Sequence, residues 1–362
     1  MNAPKPDQIT IRHANNSDHE AWDNFVENHP KATPYHLIAW KTSIESAYGH
    51  KCYYLLAEKN ACIIGILPLA HIKPPLLAGT LCSLPFCDLG GILTTNDEAI
   101  APLTTQARLL AKEHSNNKLH LRHSLTPTER CDSTEEDSQV THEKVRMVLS
   151  LPETSAILLK SFKSKLRSQV KKSAKNGITY TQSTGTSSLD AFYAVMQSNM
   201  RVLGSPVHSK EWFREILLNF KGKAYIGTVE LNGDIIGAAV LLTVGQTVTV
   251  PWASTLAEFN KLSPNMGLYW GMLDFAANNN FKYFDFGRSS VNEGTYRFKK
   301  QWGATQVPLN WIDYDINGII PTSPHNPATS NRYRELIASI WAKLPRPITN
   351  LLGPLLRRYI SL

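Results

Sequence analysis

The strongest constraint on the fold is an order of elements that occurs twice: helices, an antiparallel meander, a further helix and a closing strand. In the first half, residues 17–47 are predicted helical, with Trp22, Phe25 and Val26 at helical spacing and Ser17 as the cap. Pro30 and Pro34 divide that stretch into two helices. Cys52–Ala57 and Cys62–His71 alternate as paired strands about a Lys59-Asn60 turn. A helix over Asp97–His114 and strands at Leu119–His123 and Lys144–Leu151 follow, with the polar, acidic Ser124–Glu143 between the strands as a surface loop or hairpin tip.

The second half repeats the order. Leu158–Lys175, Ala191–Arg201 and Ser209–Phe220 read as helices, the last capped by Ser209. Ala224–Glu230, Asp234–Thr243 and Thr247–Ala253 form the meander, turning at Asn232-Gly233 and Gly245-Gln246. Ser263 caps a helix with Pro264 in its first turn that reaches Asn279, and strands Lys282–Phe286 and Leu309–Ile316 close the half. The expectation is an α/β (α+β) chain with two related halves, each a mixed, largely antiparallel sheet flanked by helices. A doubly wound Rossmann sheet does not fit. With 362 residues, more than one core usually organises, the divisions fall at 1–152, 153–325 and a tail over 326–362.

Several function classes drop out. The longest apolar runs, Ala61–Ala70 and Ile235–Val244, are far below the roughly 20 residues of a spanning helix. MNAPKPDQIT lacks the apolar stretch of a secretory signal. Five cysteines (Cys52, Cys62, Cys82, Cys87 and Cys131) form no CxxC pair, and twelve histidines show no metal spacing, with His120 and His123 reading as structural. These features predict no metal, no disulfide framework and a reducing cytoplasmic setting. Without a G-x-S-x-G elbow, an HExxH helix or G-x-G-x-x-G, a covalent or metal-dependent hydrolase is disfavoured.

The net charge of +8 points to anionic partners. LKSFKSKLRSQVKKSAK concentrates seven cations between Lys160 and Lys175 with no acid, while Leu159, Phe162, Leu166 and Val170 form its buried face. Its cationic side is either a solvated face or a landing strip for phosphates such as those of tRNA. In the tail, Trp341, Leu344, Ile348, Leu351, Leu352, Leu355 and Leu356 recur at helix-like intervals before Arg357 and Arg358. Pro345, Pro347 and Pro354 argue against one continuous helix. Such a stripe either docks on its own domain, the commoner case, or lies peripherally on an anionic membrane at its cytoplasmic face.

The chemistry concentrates in YFDFGRSSVNEGTYRFKKQW, Tyr283 to Trp302. An apolar strand ends at Asp285-Phe286, and a glycine opens a loop with Arg288, Ser289, Ser290 and Glu293. After Gly294 come Tyr296, Arg297, Lys299 and Lys300. Main-chain N–H groups and cations gathered in this way suit an anionic ligand. Arg201 at a helix end, Trp252 and Ser254 at a strand end, and Asn265 at a helix start complete the candidate binding set. From residues alone this is a cationic cleft in a two-domain protein. An enzyme, a catalytically silent binder of a glycan or peptide, and an RNA-binding adaptor would all share it.

MRVLGSPVHSKEWF from Met200, PWASTLAEFNKLSPNMGLYW from Pro251, FDFGRSSVNEGTYRFKKQWGA from Phe284 and KLPRPITNLLGPLLRR from Lys343 carry a resemblance. The chain resembles the FemAB-type members of the GNAT acyltransferase superfamily, particularly those accompanying exosortase and PEP-CTERM systems. The similarity runs from Leu158 to the C-terminus and is looser before it. It implies two GNAT-like domains and transfer of an acyl or aminoacyl group to an amine. Acyl-CoA or aminoacyl-tRNA would be the co-substrate, with no tightly bound cofactor, and an amine-bearing envelope, peptidoglycan or exopolysaccharide precursor the acceptor. The sequence departs from ordinary GNAT enzymes in lacking a clear R/Q-x-x-G-x-G/A loop, and it shows no coiled-coil arm. The resemblance carries an electrostatic role onto Lys299. The expected division of labour has Arg288 and Lys299 binding phosphates or stabilising developing charge, and Asp285 or Glu293 relaying the amine proton with help from Tyr296. Ser289 and Arg297 would bind substrate. Asp285 has a plainer alternative, capping a turn.

Overall fold

Residues 8–114, 118–124, 144–315, 321–322 and 336–361 are described by the structure, a computed structural model. The first half supplies β1 (Thr10–His13), α1 (His19–Asn28), α2 (Ile38–Tyr48), β2 (Lys51–Lys59), β3 (Cys62–Ile72), β4 (Thr80–Cys82), β5 (Leu93–Thr94), α3 (Ile100–Glu113) and β6 (Lys118–Ser124). Next come β7 (Lys144–Ser150), α4 (Ser155–Ser161), α5 (Ser164–Lys175), β8 (Thr179–Thr184), α6 (Leu189–Val202) and α7 (Lys210–Asn219). They lead to β9 (Ala224–Leu231), β10 (Asp234–Val244), β11 (Thr247–Thr255), α8 (Pro264–Asn278), β12 (Tyr283–Ser290) and α9 (Gly294–Gln301). The chain closes with β13 (Thr305–Asp315), β14 (Pro321–Thr322), α10 over 336–343 and α11 (Arg346–Arg357).

Contacts divide the chain into two units. One comprises Met1–His142, Pro308–His325 and Tyr359–Leu362; the other comprises Glu143–Val307 and Asn326–Arg358. The division follows packing rather than chain order, so linear boundaries at 152 and 325 do not reproduce it. Pairing of Leu309–Asp315 with β6 is what draws this late segment into the first unit.

In the first unit the strands run β1-β2-β3-β4-β6-β13, with β4 and β6 parallel and the other neighbours antiparallel. Leu103, Ala107, Leu110 and Ala111 of α3 pack on Leu55, Leu67, Leu69, Leu119 and Leu121 of the sheet. The β2–β3 turn sits one residue later than the sequence indicated: Asn60 and Ala61 both have positive φ, the geometry of a tight hairpin. Ser17 does not cap α1. The Asn15 side chain accepts from the Ser17 N–H, and a single 3-10 turn precedes the helix.

The second unit has the order β7-β12-β11-β10-β9-β8, antiparallel except for β11 with β12. The crossover helix α8 joins that parallel pair, as a parallel connection requires. Its Met266, Leu268, Met272, Leu273 and Ala276 are buried in a core shared with α4 and α5. α6 packs on β10 and β11. Phe192 of α6 meets Phe213 of α7 edge-on.

Four expectations need correction here. Leu158–Lys175 is two helices, because Phe162 is extended (ψ 149°) and turns its ring edge-on to Trp270 and Trp302. Ser263 precedes α8 in a left-handed conformation (φ 65°) and makes no side-chain cap, although Pro264 does stand in the first turn. β12 does not end at Phe286 but runs on to Ser290, so Arg288, Ser289 and Ser290 stand on a strand rather than in a loop. Of the tail prolines, Pro345 does separate two helices, α10 and α11, as expected, whereas Pro347 lies in the first turn of α11, where no N–H is needed, and Pro354 is tolerated inside it. The expected loop at Ser124–Glu143 lies, from residue 125 on, outside the described residues.

Candidate active site

β11 and β12 pair in parallel over only three positions, Thr247–Tyr283, Val248–Phe284 and Thr249–Asp285, although β11 runs on to Thr255 and β12 to Ser290. Each strand is irregular just beyond the last pair. β11 shifts register against β10 between Thr249 and Trp252, which places Pro251 where no ladder N–H is required. β12 shifts against β7 between Asp285 and Arg288, with Gly287 at φ 74°. No ladder pairing joins the two strands beyond these bulges among the described residues, so the hydrogen-bond ladder between them opens there as a wedge.

The β12 side of the wedge is held rigidly. Phe286 stacks on Tyr269 of α8 at 5.6 Å. Asp285 is buried, and its Oδ2 accepts from Arg146 Nε (3.0 Å) and Nη2 (2.8 Å). Its Oδ1 accepts the Gly287 N–H at 2.9 Å, which pins the bulge. Lys299 of α9, only 7% exposed, donates through Nζ to the carbonyls of Gly287 (3.1 Å) and Arg288 (2.7 Å). An ammonium therefore sits on the backbone of the bulge itself. The hydroxyls of Thr249, at the last paired position of β11, and Ser289, on β12, are buried and make no hydrogen bond among the described residues. Buried polar groups of this kind are normally satisfied, so both suit a polar ligand or water.

A sequence search of curated proteins finds no match. The family model for the acetyltransferase (GNAT) domain matches residues 160–300, from α4 through both strands of the wedge to Lys300. Residues 160–300 are a GNAT acetyltransferase domain. The match over these residues indicates an acyltransferase. Its fold is similar to that of FemX, with a TM-score of 0.67 at 16% identity over 85% of this chain and 98% of that one. A tandem GNAT protein from the clavulanic acid biosynthesis pathway aligns with a TM-score of 0.51 at 10% identity, covering 86% of this chain and 100% of that one. L-PGS from Bacillus licheniformis aligns at 0.54 and 9% identity, covering 90% and 98%. The expectation of GNAT-like α/β architecture in the FemAB manner holds at the level of the fold.

Within the GNAT domain, β12 and α9 gather Asp285, Arg288, Ser289, Glu293, Tyr296, Arg297 and Lys299. Arg288 is half-buried and Glu293 is exposed at the N-cap of α9. Arg297 donates to the Asn292 carbonyl from Nε (3.1 Å) and Nη2 (2.9 Å), bracing the loop before the helix. Tyr296 donates to Gln306 Oε1 at 3.0 Å, with Lys300 Nζ 5.5 Å from its ring centroid.

The β11 group lies on the other strand. Asn265, exposed at the start of α8, accepts from Thr255 Oγ1 at 3.2 Å. Ser254 accepts from Asn199 Nδ2 at 2.9 Å and donates to Met196 Sδ at 3.1 Å, both on α6. Trp252 packs edge-on against Phe213 and Trp212 of α7. Arg201 stands apart from both groups: its Nε donates to the Leu344 carbonyl at 2.9 Å and holds the α10–α11 connection. Arg146, Thr249 and Gln306 were missed. A lone arginine in an alternating strand 139 residues before its partner leaves no local signal.

His208 is buried in the same domain, stacked on Trp212 at 5.6 Å. Burial first, and the positive charge of Arg357 second, hold its pKa well below the usual histidine value. The unfolded chain takes up a proton below about pH 6.5 that the folded chain resists. This contribution to stability is therefore complete above that pH and is lost as pH falls below it. The unfolding free energy from urea titrations should decline on acidification from about pH 7 to about pH 5, by at most about 1.4 kcal/mol per pH unit from this group. His208→Gln should flatten that decline; an equally steep one in the variant would assign it elsewhere.

Proposed function

We propose that the chain transfers an acyl or aminoacyl group from an activated donor to the amine of a cell-envelope precursor, in peptidoglycan or exopolysaccharide metabolism at the cytoplasmic face of the membrane. The observation that carries this reading is the wedge between β11 and β12 with the Lys299 ammonium seated on its bulge. In the reaction, the amine nitrogen attacks the acyl carbonyl and a C–N bond forms. The donor's C–S or C–O bond breaks, and the proton lost by the amine ends on the leaving thiol or hydroxyl. Lys299 and Arg288 supply positive charge for the oxyanion or for donor phosphates. Asp285 is committed to Arg146 and Gly287, which leaves the exposed Glu293 as the proton acceptor. Holding amine and carbonyl together in the wedge supplies the entropic part of the rate enhancement.

The donor we favour is aminoacyl-tRNA. Lys163, Lys165, Lys171, Lys172 and Lys175, on α5 and the residue preceding it, are exposed in the same domain, a face suited to a polyanion. The resemblance to FemAB-type proteins of exosortase and PEP-CTERM systems supports the envelope setting. Native mass spectrometry after incubation with a cytosolic extract, and separately with acetyl-CoA and with aminoacyl-tRNA, tests the reading. Retained aminoacyl-tRNA supports it, and retained acyl-CoA would make the donor a thioester while keeping the transfer. Retention of neither, with no amide product from any extract, would overturn it in favour of a silent binder.

A further inference from the structure

α11 is docked by its small-residue face. Thr349 and Gly353, four residues apart, are its buried positions, and a Cβ on Gly353 would stand 3.3 Å from the Val207 nitrogen. Ile348, Leu351, Leu352, Leu355 and Leu356 fall at helical spacing and are all exposed, Leu351 to 68%. This reverses the usual arrangement, in which the aliphatic stripe packs inward.

α10 behaves the same way. Trp341 is buried, whereas Leu336, Ile337 (63% exposed) and Ile340 face water. At the end of α6, Val202 and Leu203 (62% exposed) extend the apolar surface, and Gly204 beside them is in close contact with Ala338 of α10. A run of exposed aliphatics of this extent marks an interaction surface rather than ordinary surface scatter.

The charges name the partner. Residues 336–361 contain Lys343, Arg346, Arg357 and Arg358 and no acid. Lys343 and Arg346 are exposed at the start of α11, and Arg357 and Arg358 stand at its end. The exposed pair at the start of an aliphatic helix face complements phosphates lying above acyl chains, whereas Arg357 and Arg358 are half-buried, with Arg357 near the buried His208. A second copy of the chain would bring the same positive charge to the same place. No helix among the described residues is long and apolar enough to cross a membrane, so the contact is peripheral.

We propose that α10 and α11 form a docking surface for an anionic lipid bilayer, lying in the headgroup plane with Leu351 and Leu355 directed into the acyl layer. Sedimentation of the full chain with vesicles of phosphatidylcholine, alone or mixed with phosphatidylglycerol, tests it directly. The wild type should bind the mixed vesicles, and Leu351→Gln with Leu355→Gln should weaken binding by about a hundredfold or more without moving the thermal melt, since both side chains are exposed. Lys343→Gln with Arg346→Gln should cost about tenfold on mixed vesicles and little on phosphatidylcholine. A wild type left in the supernatant, or a leucine variant that binds equally well, would overturn the proposal. So would a wild-type dimer that the leucine variant converts to a monomer in size-exclusion chromatography, because the face would then belong to a second copy. Vesicle binding is read without a transfer assay, so its outcome is separate from that of the acyl-transfer reading.

Discussion

Lys299→Met is expected to lower the rate of acyl transfer by about a hundred- to a thousandfold, the scale of losing one preorganised electrostatic contact in a water-poor site. A lysine with a purely electrostatic role, as the resemblance implies for Lys299, would leave the melt unchanged when removed. The structure says otherwise, because Nζ supplies hydrogen bonds to the Gly287 and Arg288 carbonyls at the buried bulge. Leaving those acceptors without a donor should cost about 1–3 kcal/mol of stability as well. Methionine keeps most of the buried aliphatic stem, so lost packing contributes little. The control is Trp302→Phe, which trims a fully buried ring one turn away and leaves the ammonium in place. It should cost a comparable amount of stability through the cavity it creates while retaining most of the activity. Rates are compared well below both melting temperatures. If the two variants lose activity equally, Lys299 acts by holding the bulge and not by its charge.

How much of this was legible in the sequence depended on whether the signal was local. The meander β9–β10–β11 could be read because Asn232-Gly233 and Gly245-Gln246 punctuate runs of alternating and apolar residues. The α7 cap was equally legible, since Ser209 accepts from the Trp212 N–H at 3.1 Å as its position implied. Ser263 misled because a serine before a proline looks like a cap, whereas its left-handed backbone turns the side chain away from that duty. α9 was hidden by its composition: half of GTYRFKKQ is glycine, threonine and aromatic residues of low helix propensity, and tertiary contacts through Tyr296 and Lys299 hold it helical. Pairing across long separations left no trace. The wedge exists because two strands 28 or more residues apart stop pairing after Thr249 and Asp285, a fact of register that no periodicity encodes. The tail showed the converse failure, for its stripe was correctly seen while its direction, outward rather than inward, depended on what Thr349 and Gly353 pack against.

Asp285→Ala is expected to destabilise the fold by about 3–5 kcal/mol, the usual cost of removing one partner from a buried ion pair. Both side chains are largely shielded, with 3% of Asp285 and 14% of Arg146 exposed. Alanine would leave the guanidinium without its carboxylate and the Gly287 N–H without its acceptor. Asp285→Asn separates those two effects, since an amide oxygen still accepts from Gly287 while the charge is gone, and its loss should be smaller. Arg146→Met should be about as damaging as alanine at 285, because it strands a carboxylate in the interior. The double variant Arg146→Met with Asp285→Asn removes both charges and keeps the bulge bond, so it should recover much of the loss. Urea unfolding of the wild type, Asp285→Asn, Arg146→Met and the double variant forms a cycle whose coupling energy isolates the pair. If Asp285→Ala shifts stability by less than about 1 kcal/mol, the pair holds nothing together and Asp285 returns as a candidate for proton transfer. The expected outcome has a catalytic corollary. The bulge presents the two carbonyls that seat Lys299, so transfer by the asparagine variant should fall by less than transfer by the alanine variant, in the order of their stabilities. A rate lost equally in both, with the asparagine variant stable, would instead mark the carboxylate as part of the chemistry.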